Sequence, residues 1–319
     1  MISLAGLEAA ARNVYAAMAP TPQYAWPLMA RRAGIEVWVK HENHTPTGAF
    51  KVRGGLNLMA SLAAARSPPP GIISATRGNH GQSLAYAARR HGMRCTIVVP
   101  RGNSIDKNEA MRAFGAELVE FGRDFDEARE QAALLAREHA LRFIGPFEPE
   151  LVAGVGTYAL ELFRAVADLD TVYVPIGCGS GICGLIGARD ALGRSTDIVG
   201  VVSAHANAYA RSFAARSAIE TTSAETIADG MAVRVPVPAA LEVIWKGAAR
   251  VVEVTDAQVE DAMRACFSDT HQVAEGAGAA PLAALLAEGS RAGRRAAVVL
   301  SGGNVDRELY ARVLAGDPR

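Results

Sequence analysis

From about residue 35 onward, short runs rich in β-branched residues alternate with alanine-rich stretches of helical periodicity. This alternation narrows the fold more than any other feature, because strand, helix and strand in succession close most readily as a parallel βαβ unit. Candidate strands fall at 36–40, 72–75, 95–99, 117–121, 171–176, 198–202 and 297–300, and helical patterns at 82–91, 105–114, 124–139 and 155–166. The fold class is therefore α/β. Two breaks divide the pattern. Consecutive prolines in Ser67-Pro68-Pro69-Pro70-Gly71 exclude helix and ladder hydrogen bonding alike, and Gly145-Pro146-Phe147-Glu148-Pro149 makes the second. The expectation is a small α/β domain at 71–146 inserted into a larger domain built from 1–67 and 150–319. A chain of 319 residues is long enough for both to have cores.

The chain carries 33 basic and 33 acidic side chains. A net charge of zero offers little of the counterion release that drives nucleic-acid binding, so no nucleic-acid partner is expected. No apolar run reaches the roughly 18 residues of a membrane span, and no membrane partner is expected. The first residues, MISLAGLEAAARNV, lack a basic leader and place Glu8 and Arg12 within an apolar pattern. They suit an amphipathic helix better than a signal peptide, which points to the cytoplasm. The four cysteines form no CxxC pair, so neither a disulfide framework nor a zinc site is indicated. A small molecule is the expected partner.

Several segments bearing glycine or lysine follow candidate strands, where open α/β sheets place their ligand sites. In Gly48-Ala49-Phe50-Lys51-Val52, Lys51 stands between apolar neighbours at an apparent helix start, where desolvation and the helix dipole both favour the neutral, nucleophilic amine. A lysine on a helix surface is the ordinary alternative. In Gly177-Cys178-Gly179-Ser180-Gly181-Ile182-Cys183-Gly184, a strand runs through a glycine loop into a helix, giving backbone amides suited to a phosphate. Gly179, Gly181 and Gly184 satisfy GxGxxG. A dinucleotide site also needs an acidic residue about 20 positions on, at the end of the next strand. That strand ends in Ser203, with Asp197 at its other end, so a phosphate monoester fits better. In Thr76-Arg77-Gly78-Asn79-His80-Gly81-Gln82, loop amides and the Thr76 hydroxyl suit a substrate carboxylate. Asn79 suits either a helix N-cap or a hydrogen bond to a cofactor hydroxyl. Ser301-Gly302-Gly303-Asn304 repeats the strand-then-glycine pattern near the end of the chain.

Taken in order, these segments resemble the serine/threonine dehydratase family of fold-type-II pyridoxal phosphate (PLP) enzymes, over nearly the whole chain. The resemblance implies a tryptophan synthase β-like fold: two open, twisted parallel-sheet domains with helices on both faces. It implies that Lys51, beside Phe50, carries PLP as a Schiff base, and that Asn79 meets the 3-hydroxyl. Gly177, Cys178, Gly179, Ser180 and Gly181 would hold the phosphate, Ser301 would face the ring nitrogen, and Glu275 of Ala274-Glu275-Gly276-Ala277-Gly278 would stand near the cofactor. Residues 227–233 also resemble the family. Thr76, Arg77, Gly78 and His80 fall on the substrate side, and His44 is a further candidate for the site wall. The resemblance further implies a homodimer.

The implied activity is β-elimination, dehydrating and deaminating a β-hydroxy amino acid such as threonine, serine or phenylserine to a 2-oxo acid plus ammonia. The wording of the 76–82 and 179–184 segments is similar to a phenylserine and hydroxyectoine-utilisation dehydratase branch. A β-replacement synthase on the same fold and a non-catalytic PLP-binding protein are the rival readings. Three features depart from the family. Arg77 stands where related racemases carry a serine base, so racemisation is not expected; whether it meets a substrate carboxylate, stacks on an aromatic group, closes the small domain or lies exposed stays open. Cys178 replaces a usual glycine, tolerable if its side chain points away. The family's acidic cation site near residues 202–209 lacks its carboxylates, so no metal is expected. The chain runs on only briefly after Ser301, so feedback control through a further domain is not expected.

Overall fold

The computed structural model describes residues 2–123 and 125–316. In chain order its strands are β1 (Gln23–Ala25), β2 (Glu36–His41), β3 (Gly71–Ala75), β4 (Arg94–Val99), β5 (Glu117–Glu120), β6 (Arg142–Phe143), β7 (Thr171–Pro175), β8 (Asp197–Ser203), β9 (Arg250–Val254) and β10 (Arg295–Leu300). They form two sheets, one of six strands in the order β1-β2-β10-β7-β8-β9 and one of four in the order β5-β4-β3-β6. Strands of the smaller sheet all come from between Gly71 and Phe143 and pair in parallel.

Side chains alternate across a strand, and here both faces of each sheet are covered. Along β10, Ala296, Val298 and Leu300 pack into a cluster with residues of the helices Asp256–Thr270 and Gly276–Glu288. The intervening Ala297 and Val299 join Tyr158, Leu162, Ile182 and Leu185 from the helices Pro149–Ala165 and Ser180–Ala191. The smaller sheet repeats the arrangement. Ile72 and Ile97 meet Leu84 and Ala88 of the helix Asn79–Arg90, while Ile73 and Val98 meet Ala128 and Ala132 of Phe125–Glu138. Each such fully buried Val, Leu or Ile stabilises the fold by about 1.5–3 kcal/mol.

One strand departs from the expected parallel pairing: β1 pairs antiparallel with β2, as Gln23 opposite Lys40 shows. The helix Pro27–Ala33 ends on left-handed Gly34 (φ 72°) and turns the chain back to make that pairing. Three residues beside Pro20 and Pro22 are too few to show strand periodicity. Two-residue β6 and the half-buried edge strand β9 were likewise not foreseen. The helix expected over 124–139 is observed as Phe125–Glu138, and residue 124 lies outside the described residues. The N-terminal amphipathic helix is present as Leu4–Tyr15. Among the described residues no helix is long and apolar enough to cross a membrane.

The helix Lys51–Ala63 is fixed from below. A Cβ at Gly154 would lie 2.4 Å from the Arg53 carbonyl oxygen, so two helices touch backbone to backbone at a glycine. Arg53 is fully buried and donates to Glu42 (2.7 and 2.9 Å), Glu161 (2.6 and 2.9 Å) and Thr157 (3.0 Å). Lys40 adds a 2.5 Å bond to Glu161. Burial opposes the charge on Arg53, but Glu42 and Glu161 more than offset it and raise its pKa above the ordinary value.

Candidate active site

Because β2, β10 and β7 are parallel neighbours, the segments after His41, Leu300 and Pro175 emerge side by side. This is where open α/β sheets bind ligands. The loop after Ala75 of β3 faces them across a cavity of about 490 Å³ between the two sheets. Every candidate site residue named from the sequence lines this cavity except one: Phe50, Lys51, Thr76, Arg77, Gly78, Asn79, His80, Gly177, Cys178, Gly179, Ser180, Gly181, Glu275 and Ser301 are all on its wall. The exception is His44. It is exposed and hydrogen-bonded to Gln272 at 2.5 Å.

Lys51 is the first residue of its helix. The preceding turn is tied to the end of β10, with Phe50 N–H donating to the Ser301 carbonyl at 2.9 Å and Ala49 bridging Gly302. The Lys51 Nζ donates to Ser180 Oγ at 2.9 Å and stands 5.1 Å from the centre of the Phe50 ring. Burial lowers the Lys51 pKa from its ordinary value, partly opposed by Cys178. The amine is thus biased toward its nucleophilic form.

Opposite lies the glycine loop. Gly179 adopts φ 95° and caps the helix Ser180–Ala191 without a side-chain hydrogen bond, so no side chain caps the first-turn amides. A Cβ at Gly177 would sit 2.3 Å from the Gly230 carbonyl oxygen, and only glycine fits there. The Tyr158 hydroxyl donates to the Gly181 carbonyl at 2.9 Å and braces the helix start. Cys178 does not turn fully away: it is half-buried and lines the cavity, its thiol pKa raised by burial against the opposing effect of Lys51. β8 ends in Ser203, fully buried, and not in the acidic residue that a dinucleotide ribose would need there.

The Asn79 side chain does not cap its helix. Gly78 occupies the N-cap and Asn79 is the first helical residue, three positions before the helix pattern visible in the sequence. Its Nδ2 donates to Glu275 Oε1 at 2.7 Å, and its Oδ1 accepts from Asn304 Nδ2 at 2.8 Å. Glu275 is buried and its Oε2 has no partner. Burial pushes its carboxyl up to about 7, with Asp229 adding to the shift and Lys107 and the Asn79 hydrogen bond opposing it. His80 is buried with Nε2 unpartnered, pushed down to about 3 by burial and by Lys51, so its ring is neutral. Thr76 Oγ1 accepts from Gly78 N–H at 3.0 Å, and Arg77 is exposed. Ser301 is buried at the end of β10.

Sequence reasoning missed the ionic bridges across the cavity. Lys107 pairs with Asp229, and Asp126 pairs with Arg234 and, within its own helix at 3.4 Å, with Arg129. Only the Asp229 segment carried a signal, through the family-like run at 227–233.

A family model described as pyridoxal-phosphate dependent enzyme matches residues 14–302. The chain belongs to that family. L-threonine ammonia-lyase of Thermotoga maritima is 32% identical over 315 residues, which covers 98% of this chain and 78% of that protein. L-threonine ammonia-lyase of Geobacter sulfurreducens is 36% identical over 287 residues, covering 89% and 71%. Among solved structures, the processed form of threonine deaminase isoform 2 from Solanum lycopersicum matches with a TM-score of 0.90 at 27% identity, covering 99% of this chain and 95% of that one. A PLP-dependent aspartate racemase matches at 0.91 and 27% identity, covering 96% and 97%. Within the family, the chain is a fold-type-II enzyme of the serine/threonine dehydratase type. The site fits the cofactor: an uncapped helix start for an anion, a desolvated lysine facing it, and an unpartnered carboxylate oxygen on Glu275.

Proposed function

We propose that this enzyme removes water and then ammonia from a β-hydroxy amino acid such as threonine, serine or phenylserine, releasing a 2-oxo acid. The observation that carries this reading is Lys51, a desolvated amine at a helix start, aimed at the uncapped loop at 177–181. Lys51 would hold PLP covalently, the loop its phosphate, Asn79 its ring hydroxyl and Ser301 its ring nitrogen. When bound, PLP withdraws electrons from the substrate Cα so that this carbon can lose its proton. Lys51 Nζ, the amine nearest the loop, would accept that proton. Glu275 and Asn304 hold the Asn79 amide in one orientation. The uncapped start of the Asn79–Arg90 helix, with Thr76 beside it, receives the substrate carboxylate. A hydroxyl at residue 301 carries no charge to keep the ring nitrogen protonated, which favours rapid loss of a β-leaving group over transamination. Loss of Cα–H and Cβ–OH as water leaves an enamine, and its hydrolysis gives the oxo acid and ammonia.

The test is ammonia and 2-oxo acid release by the PLP-loaded enzyme from threonine, serine and 3-phenylserine. Equal release of both products is expected. A β-substituted amino acid formed only when sulfide is added would instead favour the β-replacement synthase. The same reading takes residues 71–146 as a small domain inserted between 1–67 and 150–319, and the working form as a cytoplasmic homodimer, by analogy with the family. Sedimentation of the loaded enzyme at twice the chain mass is the expected outcome for the dimer.

A further inference from the structure

Most cationic side chains lining the cavity already have a partner. Lys51 donates to Ser180, Lys107 pairs with Asp229, and Arg129 and Arg234 both reach Asp126. Among the described cavity cations, Arg77 alone makes no ion pair or hydrogen bond through its side chain. Glu225, a carboxylate on the same wall, does not pair with it.

The backbone beneath that free guanidinium is fixed. The Arg77 carbonyl accepts from Asn103 Nδ2 at 3.2 Å, and the next amide is held by Thr76 Oγ1 at 3.0 Å. A Cβ at Gly78 would lie 2.7 Å from Lys107 Cδ, so the loop is pressed against its neighbour. The substrate α-carboxylate, under the function proposed above, is met by the uncapped helix start two residues further on. Arg77 is not needed for it.

Resting on that reading, we infer that the preferred substrate is a β-hydroxy amino acid carrying a second carboxylate, and that Arg77 is the residue that reads it. A guanidinium presents a planar fork of donors matched to a carboxylate and binds it in two parallel hydrogen bonds. A methyl group at this place would leave the fork unpaired.

The experiment compares kcat/KM of the PLP-loaded enzyme for 3-hydroxyaspartate, threonine and 3-phenylserine, in wild type, Arg77→Ala and Arg77→Lys. Binding of aspartate, which has no β-leaving group, is measured beside 2-aminobutyrate by calorimetry. The expected result is a preference for 3-hydroxyaspartate, with the ratio to threonine falling about 30- to 100-fold in Arg77→Ala and partly restored in Arg77→Lys. Aspartate binding should show the same loss. Preference for threonine or 3-phenylserine, or a ratio unmoved by Arg77→Ala, would overturn the assignment and leave the dehydratase reading standing. No release of ammonia and oxo acid from any of the three would sink that reading itself; aspartate binding that ignores Arg77 would still count separately against the assignment.

Discussion

Lys51, Glu275 and Ser301 each owe their chemistry to what surrounds them. Glu275 is buried with an unpartnered oxygen, and its carboxyl titrates at about 7 instead of the ordinary 4.5. Between those two values the folded protein binds a proton that the unfolded chain has lost, so the Glu275 contribution to stability falls as pH rises toward 7 and is flat above it. Glu275→Gln is expected to remove that slope, as urea denaturation at pH 5 and pH 7.5 would show. At Ser301 the expectation is chemical. Under the proposed function, Ser301→Asp would set a carboxylate against the cofactor ring, and should slow elimination about tenfold while adding a transamination product detectable by chromatography. Ser301 and the glycine loop were legible in the sequence because each follows directly on a strand, and Lys51 because it stands between apolar residues at a helix start. Asn304 holding Asn79 and Lys107 holding Asp229 were not, since these pairs lie 225 and 122 residues apart.

The helix Lys51–Ala63 is the element on which the site depends, and its anchoring is ionic. Arg53, two residues after Lys51, meets two carboxylates in a place without solvent. Removing one partner of a buried ion pair costs about 3–5 kcal/mol, because the remaining charges are left uncompensated. Arg53→Ala is therefore expected to lower the unfolding free energy of the protein by about that amount, measured by chemical denaturation. A loss under about 1 kcal/mol would mean that the cluster is solvated when the protein breathes. Nothing in the sequence pattern singled out Arg53. Its partners Glu42 and Glu161 come from a 3-10 turn and another helix, and nothing local links them. Strands read well where they are buried on both faces, as β7, β8 and β10 are. The edge strand β9 and the three-residue β1 escaped notice because partial exposure and short length weaken the pattern.

At the scale of the whole molecule, two sheets hold the site between them. The larger contributes the Lys51 segment, the glycine loop and Ser301; the smaller contributes Thr76, Arg77, Asn79 and His80. Lys107 to Asp229 and Arg234 to Asp126 join the parts across the cavity, and Ser104 to Asp306 (2.5 Å) joins them away from its wall. The βαβ alternation revealed the sheets and the two breaks bracketed the smaller one. The facing of the two sheets depends on contacts far apart in sequence and was visible only through family resemblance. All of this converges on one amine. The most direct measurement is the absorption spectrum and turnover of Lys51→Ala mixed with PLP, with threonine, serine, 3-phenylserine and 3-hydroxyaspartate as substrates. The visible band of the lysine-bound cofactor and the release of ammonia are expected to disappear together; a variant that keeps both would contradict the central role of Lys51.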